Sequence, residues 1–265
     1  MADESPFRSA AVARAAAVVA ALAAAAAIAF PIAARVGGVD PHSVRPVTPP
    51  AAATPSASPV PLQDIGRQAL SRVVTVETDR PAQEALGTAW LLDSRGDFVT
   101  NAHVVSGALT VRITDRSAHT HVAEVLGRDD SADIAVLRSA DGFTAQPLAV
   151  RDAPLPHLPL PVVDVASSRA TGHEDLTLES LTQAGQSVPL RPGEIPVGDN
   201  APSVYHDMLE LSGSQVYQGN SGGPVLDGGG HVVGILTLAS PDQPEAFAIP
   251  ITRVLGQLTQ FAQSG

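Results

Sequence analysis

The chain has 265 residues and no cysteine, so neither disulfides nor thiol chemistry enters its fold or function. A formal net charge of −11 without any basic run argues against nucleic acid as a partner and suits solubility. The length accommodates one domain of about 200 residues plus an N-terminal extension. In chain order, residues 1–14 carry Arg8 and Arg14. Ala15 to Ala34 then form an uncharged apolar run between Arg14 and Arg35. Its length matches a transmembrane helix of about 20 residues. The run is rich in alanine and contains Pro31, so a cleaved signal segment is the alternative reading. Residues 35–62 alternate proline with alanine, serine, threonine and valine, a composition that forms an extended linker rather than a core.

Residues 63–265 form the folded domain and read as short strands separated by turns. Val73 to Val76 is the first. Ala89 to Leu92 and Asp97 to Thr100 flank Asp93-Ser94-Arg95-Gly96, a hairpin turn. Leu109 to Ile113, His121 to Leu126, Val225-Leu226 and Val232 to Ile235 follow, the last two around Asp227-Gly228-Gly229-Gly230. This spacing predicts an all-β barrel or sandwich. At the end Ile251, Val254, Leu255, Leu258 and Phe261 recur at helical spacing, with Thr252 as the expected cap.

The chemistry concentrates in Gly219-Asn220-Ser221-Gly222-Gly223-Pro224. Glycines let a serine sit on a tight turn, with exposed amides that can stabilise an oxyanion. Taken alone the hexamer is an ordinary turn. Two further residues change its reading: His103 in Thr100-Asn101-Ala102-His103-Val104-Val105, and Asp133 in Asp133-Ile134-Ala135-Val136-Leu137. Asp129 and Asp130 are rival carboxylates, but Asp133 abuts the apolar run that plants it beside a core. The order is His, Asp, Ser, one of the chain orders in which a catalytic triad occurs. His119 and His121 lie two apart on a strand, without a third metal ligand nearby, and read as solvated strand histidines. Trp90 reads as core packing.

With Gly87-Thr88-Ala89-Trp90-Leu91-Leu92, Val232-Val233-Gly234-Ile235 and Phe247-Ala248-Ile249-Pro250 added in the same order, the chain resembles the trypsin-like serine proteases, and within them the HtrA/Deg branch. The resemblance implies a chymotrypsin-like fold: two six-stranded antiparallel β-barrels and a C-terminal α-helix. It implies that Ser221 attacks the scissile carbonyl, that His103 moves the proton and that Asp133 orients the imidazole. Gly219 and Ser221 N–H would form the oxyanion hole. Gln215 would lie at the base of the primary pocket, walled by Leu236, Thr237, Leu238 and Ala239, which favours small or medium apolar side chains. Asn220 stands where digestive relatives carry an acid that pairs with a newly cut N-terminus, so activity without N-terminal cleavage is expected.

The implied substrates are proteins or peptides, with no cofactor and no metal. Residues 1–14 would be cytosolic and the protease domain extracytoplasmic, tethered to the cell membrane and suited to protein quality control. A secreted protease released by signal cleavage, or a catalytically silent polypeptide-binding relative, are the alternatives. The roughly 40 residues after Ser221 leave no room for a peptide-binding PDZ domain, and residues 153–205 lack the Gly-Asn-Pro loop common in relatives. No Phe, Tyr or Trp occurs between residues 36 and 89, so no trimer is assigned.

Overall fold

The computed structural model describes residues 60–78, 85–172, 176–190, 202–213, 216–240 and 243–264. The apolar run 15–34, nearly all of the linker and Gln215 lie outside the described residues. Among the described residues no helix is long and apolar enough to cross a membrane.

The first barrel contains β1 (Val73–Thr78), β2 (Ala85–Leu91), β3 (Asp97–Thr100), β4 (Thr110–Thr114), β5 (Thr120–Asp129) and β6 (Ile134–Ser139). They close in the order β1-β2-β3-β6-β5-β4. The alternation expected of strands sorts their side chains. Val74, Val76, Ala89, Leu91, Phe98, Ile113 and Leu137 fill the barrel. Val73, Trp90, Val99, Ile134 and Val136 point the other way, into a second core shared with the rest of the chain. Trp90 is therefore a packing residue, fully buried.

The second barrel uses β8 (Leu160–Val165), β9 (Leu176–Pro189), β10 (Val204–Ser212), β11 (Pro224–Leu226), β12 (His231–Ala239) and β13 (Glu245–Pro250). The order β11-β8-β9-β10-β13-β12 is closed by pairing of β11 with β12. A two-residue strand outside the barrel closure, β7 (Ala149–Val150), adds to β12 in parallel. Val162, Leu181, Leu209, Leu211, Val225 and Val233 fill this barrel.

Three helices complete the domain. α1 (Leu62–Ala69) lays Ile65, Gly66 and Ala69 against the shared core. α2 (Ser168–Thr171) is a single turn ended by Gly172 in the left-handed region. α3 (Ile251–Gln263) buries Ile251, Val254, Leu258 and Ala262, which confirms the helical spacing. Thr252 is not its cap. β13 runs straight into the helix, so Pro250 takes the cap position and Thr252 falls inside the first turn. The expected face shared by His119 and His121 is also absent. His119 lies in the turn before β5 and faces Asp115, whereas His121, on β5, faces Asp141 and the ring of Phe143.

Candidate active site

The chain leaves β3 at Thr100, and Val104 and Val105 are buried directly afterwards. This pins His103 at the barrel edge, with 14% of its side chain exposed. Asp133 stands immediately before β6 and is 2% exposed. Its backbone takes the left-handed region, φ 55°, which aspartate tolerates better than most residues. Asn101 Nδ2 holds that turn through the Asp133 carbonyl at 2.9 Å.

The Asp133 carboxylate meets three donors. The His103 backbone N–H lies 3.0 Å from Oδ1, and His103 Nδ1 lies 3.0 and 2.9 Å from the two oxygens. Tyr205 O–H donates to Oδ2 at 3.1 Å from β10 of the second barrel. Burial first, then the Asp133 charge and this hydrogen bond, raise the Tyr205 phenol, so it stays a donor. A carboxylate facing Nδ1 fixes the imidazole proton there and leaves Nε2 able to accept one. Neither rival acid reaches the imidazole. Asp129 accepts from Ser131, Ala132 and Gln257, and Asp130 pairs with Arg128.

Ser221 is fixed by both barrels. Its carbonyl accepts Thr88 N–H at 2.9 Å, and Thr88 Oγ1 donates to the Gly219 carbonyl at 2.8 Å. Gly222 N–H donates to the Leu236 carbonyl at 2.8 Å, and Leu236 N–H to the Gly223 carbonyl at 2.9 Å. Gly222 has φ +88°, and a Cβ there would overlap the Thr88 carbonyl and Thr100 Oγ1, so only glycine lets the loop lie this close. Gly219 has φ +101°, and a Cβ there would overlap the carbonyl of Ala170 on α2. Among the described residues, neither the Gly219 nor the Ser221 amide donates a hydrogen bond, so both are available to an incoming oxyanion.

The register of β12 against β13 shifts between Leu236 and Leu238. That irregularity takes Thr237 out of the ladder, as a bulge re-aims a residue beside a site. The Ser221 hydroxyl is 3.5 Å from the Thr237 carbonyl. Thr237 Oγ1 accepts from Asn101 Nδ2 at 2.8 Å. Asn101 thus ties the Asp133 backbone carbonyl to Thr237 Oγ1, and the Thr237 carbonyl lies beside the Ser221 hydroxyl. Of the expected pocket residues, Thr237 and Leu238 are buried, Ala239 is exposed, and Leu238 belongs to the shared core. A separate cavity of about 370 Å³, lined by Asp115, Arg116, Ser167, Ser168 and Arg169, contains no expected site residue.

The loop 219–223 has a further anchor. Asn220 is 2% exposed, and its Nδ2 donates to Asp164 Oδ2 on β8 at 2.6 Å. Tyr205, Thr237 and Asp164 were not singled out for these roles from sequence. The first and last sit in segments with no motif of their own, and their partners are remote in the chain. Among the described residues, no group of three acids and histidines is placed to hold a metal.

Residues 87–235 match the family model described as a trypsin-like peptidase domain. Protease Do-like 1, chloroplastic, of Arabidopsis thaliana is 30% identical over 190 residues, covering 68% of this chain and 40% of that protein. Serine protease Do-like HtrA of Lactobacillus helveticus is 27% identical over 180 residues, covering 65% and 41%. The chain therefore spans about two fifths of the length of these curated relatives. Among solved structures, the active form of the Rv3671c protease from M. tuberculosis superimposes with a TM-score of 0.63 at 26% identity, covering 85% of this chain and 94% of that one.

Proposed function

Because the chain belongs to the trypsin-like peptidase family, we propose that it is a serine endopeptidase working through His103, Asp133 and Ser221. The observation that carries this reading is the Asp133 carboxylate set on His103 Nδ1 at 2.9 Å. Ser221 attacks the carbonyl carbon while His103 Nε2 takes its proton. The resulting oxyanion is received by the amides of Gly219 and Ser221. His103 then protonates the leaving amine, and water hydrolyses the acyl-enzyme by the same steps. Each oxyanion donor contributes on the order of 10²–10³ in rate.

The proposed substrates are unfolded proteins, cleaved after small or medium apolar side chains. The proposed setting is extracytoplasmic, with residues 15–34 as the membrane anchor, which suits protein quality control. Hydrolysis of unfolded casein by the full-length chain tests the activity. Wild type should cleave and Ser221→Ala should not; equal cleavage by both would refute the reading. Recovery of the full-length chain in carbonate-washed membranes supports the anchor, and its release as a shortened soluble form contradicts it.

A further inference from the structure

Asp164 and Glu179 are buried acids that the triad does not use. Val162 pairs with Glu179 and Asp164 with Thr177, so the two acids are diagonal neighbours on one face of the β8–β9 ladder. Asp164 is fully buried and Glu179 is 7% exposed. Among the described residues, three of their four oxygens have no hydrogen-bond partner. The fourth, Asp164 Oδ2, accepts from Asn220, the residue before Ser221. Among the described residues, no cation is paired with either acid. Across the sheet Asp164 faces Val225 of β11, and the charged residues of α1, Asp64 and Arg67, pair with each other in solvent.

A carboxyl group with one hydrogen bond in an apolar interior is costly, and such a cost persists where the group has a task. Here the task is visible in the loop. Asn220 N–H donates to the Tyr217 carbonyl at 3.1 Å, and Gly223 N–H donates to the Asn220 carbonyl at 2.8 Å. The turn is thus wound around Asn220, and among the described residues the tie from its side chain to a strand is Asp164. Gly223 lets the turn approach, since a Cβ there would lie 2.8 Å from the Val165 carbonyl and 3.1 Å from Asp164 Oδ1.

We propose that Asp164 is a positioning residue for Ser221, holding Asn220 and through it the turn that presents the nucleophile and the oxyanion amides. This rests on the reading of Ser221 as nucleophile. An amide-to-carboxyl contact fixes the loop without any charged chain terminus, and it places control of the turn in the second barrel's first long hairpin, β8–β9.

The test combines fluorophosphonate labelling rates with hydrogen exchange of residues 217–223 in the full-length chain. Asp164→Ala and Asn220→Ala should each slow labelling at least ~tenfold, because small displacements of reacting groups are expensive. Asp164→Asn keeps an acceptor for Asn220 and should stay within ~threefold of wild type, while the double alanine variant should be no slower than the worse single one, as expected for one shared contact. Exchange at 217–223 should accelerate in Asp164→Ala and not in Asp164→Asn. Labelling of Asp164→Ala at the wild-type rate would overturn the proposal, as would equal losses in Asp164→Asn and Asp164→Ala. If wild type does not label at all, the nucleophile reading falls. Exchange then decides Asp164 alone: faster exchange in Asp164→Ala than in Asp164→Asn supports it, and equal exchange overturns it.

Discussion

Asp133 is a nearly buried carboxylate whose charge is met by the His103 ring, the His103 amide and the Tyr205 hydroxyl. Each donor is a hydrogen bond to a buried carboxylate, so removing one has a predictable direction. Tyr205→Phe deletes a hydrogen bond to a charged group, worth about 1.5–3 kcal/mol. It should lower kcat/KM roughly tenfold or more while KM stays nearly constant, because the Tyr205 hydroxyl acts on Asp133. Asp133→Asn should cost about 10⁴-fold in kcat, because an amide facing Nδ1 favours the wrong imidazole tautomer. Steady-state kinetics on one peptide substrate separates the two. His103 and Asp133 were legible because each sits in a short block beside an apolar run. Tyr205 was not, since a tyrosine in an alternating strand looks like any half-buried aromatic until the other barrel is placed against it.

At the scale of elements, the site depends on where strands are interrupted. The loop after Tyr217 follows β10, bends through three positive-φ or close-approach glycines and returns as β11. Gly222→Ala would drive a methyl group into the Thr88 carbonyl, a clash of about 1–3 kcal/mol. Its expected signature is at least ~100-fold slower fluorophosphonate labelling with a melting-temperature drop of roughly 2–12 °C, since the displaced loop carries the proposed nucleophile.

Elsewhere, Arg138 ties α3 to the first barrel. It chelates the fully buried Asp97 at 2.7 and 2.9 Å and donates to the Ala262 carbonyl at 2.7 Å. Arg138→Met strands a buried charge, which costs about 3–5 kcal/mol, towards the lower end because Arg95 remains 3.1 Å from Asp97. Thermal melting should register this as a drop of roughly 6–12 °C, at about 2–4 °C per kcal/mol. The hairpin turns at 93–96 and 227–230 were legible from their Asp and Gly residues. The Thr252 cap was misread because sequence does not show that β13 continues to Pro250.

Over the whole molecule, the buried acids give stability a definite pH dependence. Burial pushes Asp164 up to about 7, and burial with the Asp164 charge pushes Glu179 up to about 8. Acids whose folded values are raised favour the native state fully only below their unfolded values near 4, and this contribution is lost as pH rises through 7–8. Asp227 and Asp129 act oppositely. Burial works against them, but hydrogen bonds from His231, Gly229 and Arg151, and from Ser131, Gln257 and Ala132, hold both below the usual range. Their contribution is present above the unfolded value and lost as pH falls through the folded one. Stability should therefore be highest near about pH 4, decline as pH rises from there to about 8, and level off above it. Glu179→Gln removes one buried charge, so its melting temperature should exceed wild type at pH 8.5 and converge with it at pH 5. A gap of the same size at both pH values would contradict this.

The strands were legible because the apolar blocks fall in strand-length pieces with turn residues between them, whereas their closure into two barrels was implied only by the family resemblance. The segment 153–205 was not, because its prolines and long β9 carry no periodic signal until β8 and β10 flank it. Asp164, which lies there, is readable only in three dimensions.

The most direct measurement is fluorophosphonate labelling of the full-length chain beside Ser221→Ala and His103→Ala. Labelling of wild type that is lost in both variants is the predicted result, since the reagent reports an assembled and activated nucleophile. Labelling that persists in Ser221→Ala, or that is unaffected by His103→Ala, would contradict the assignment of these residues.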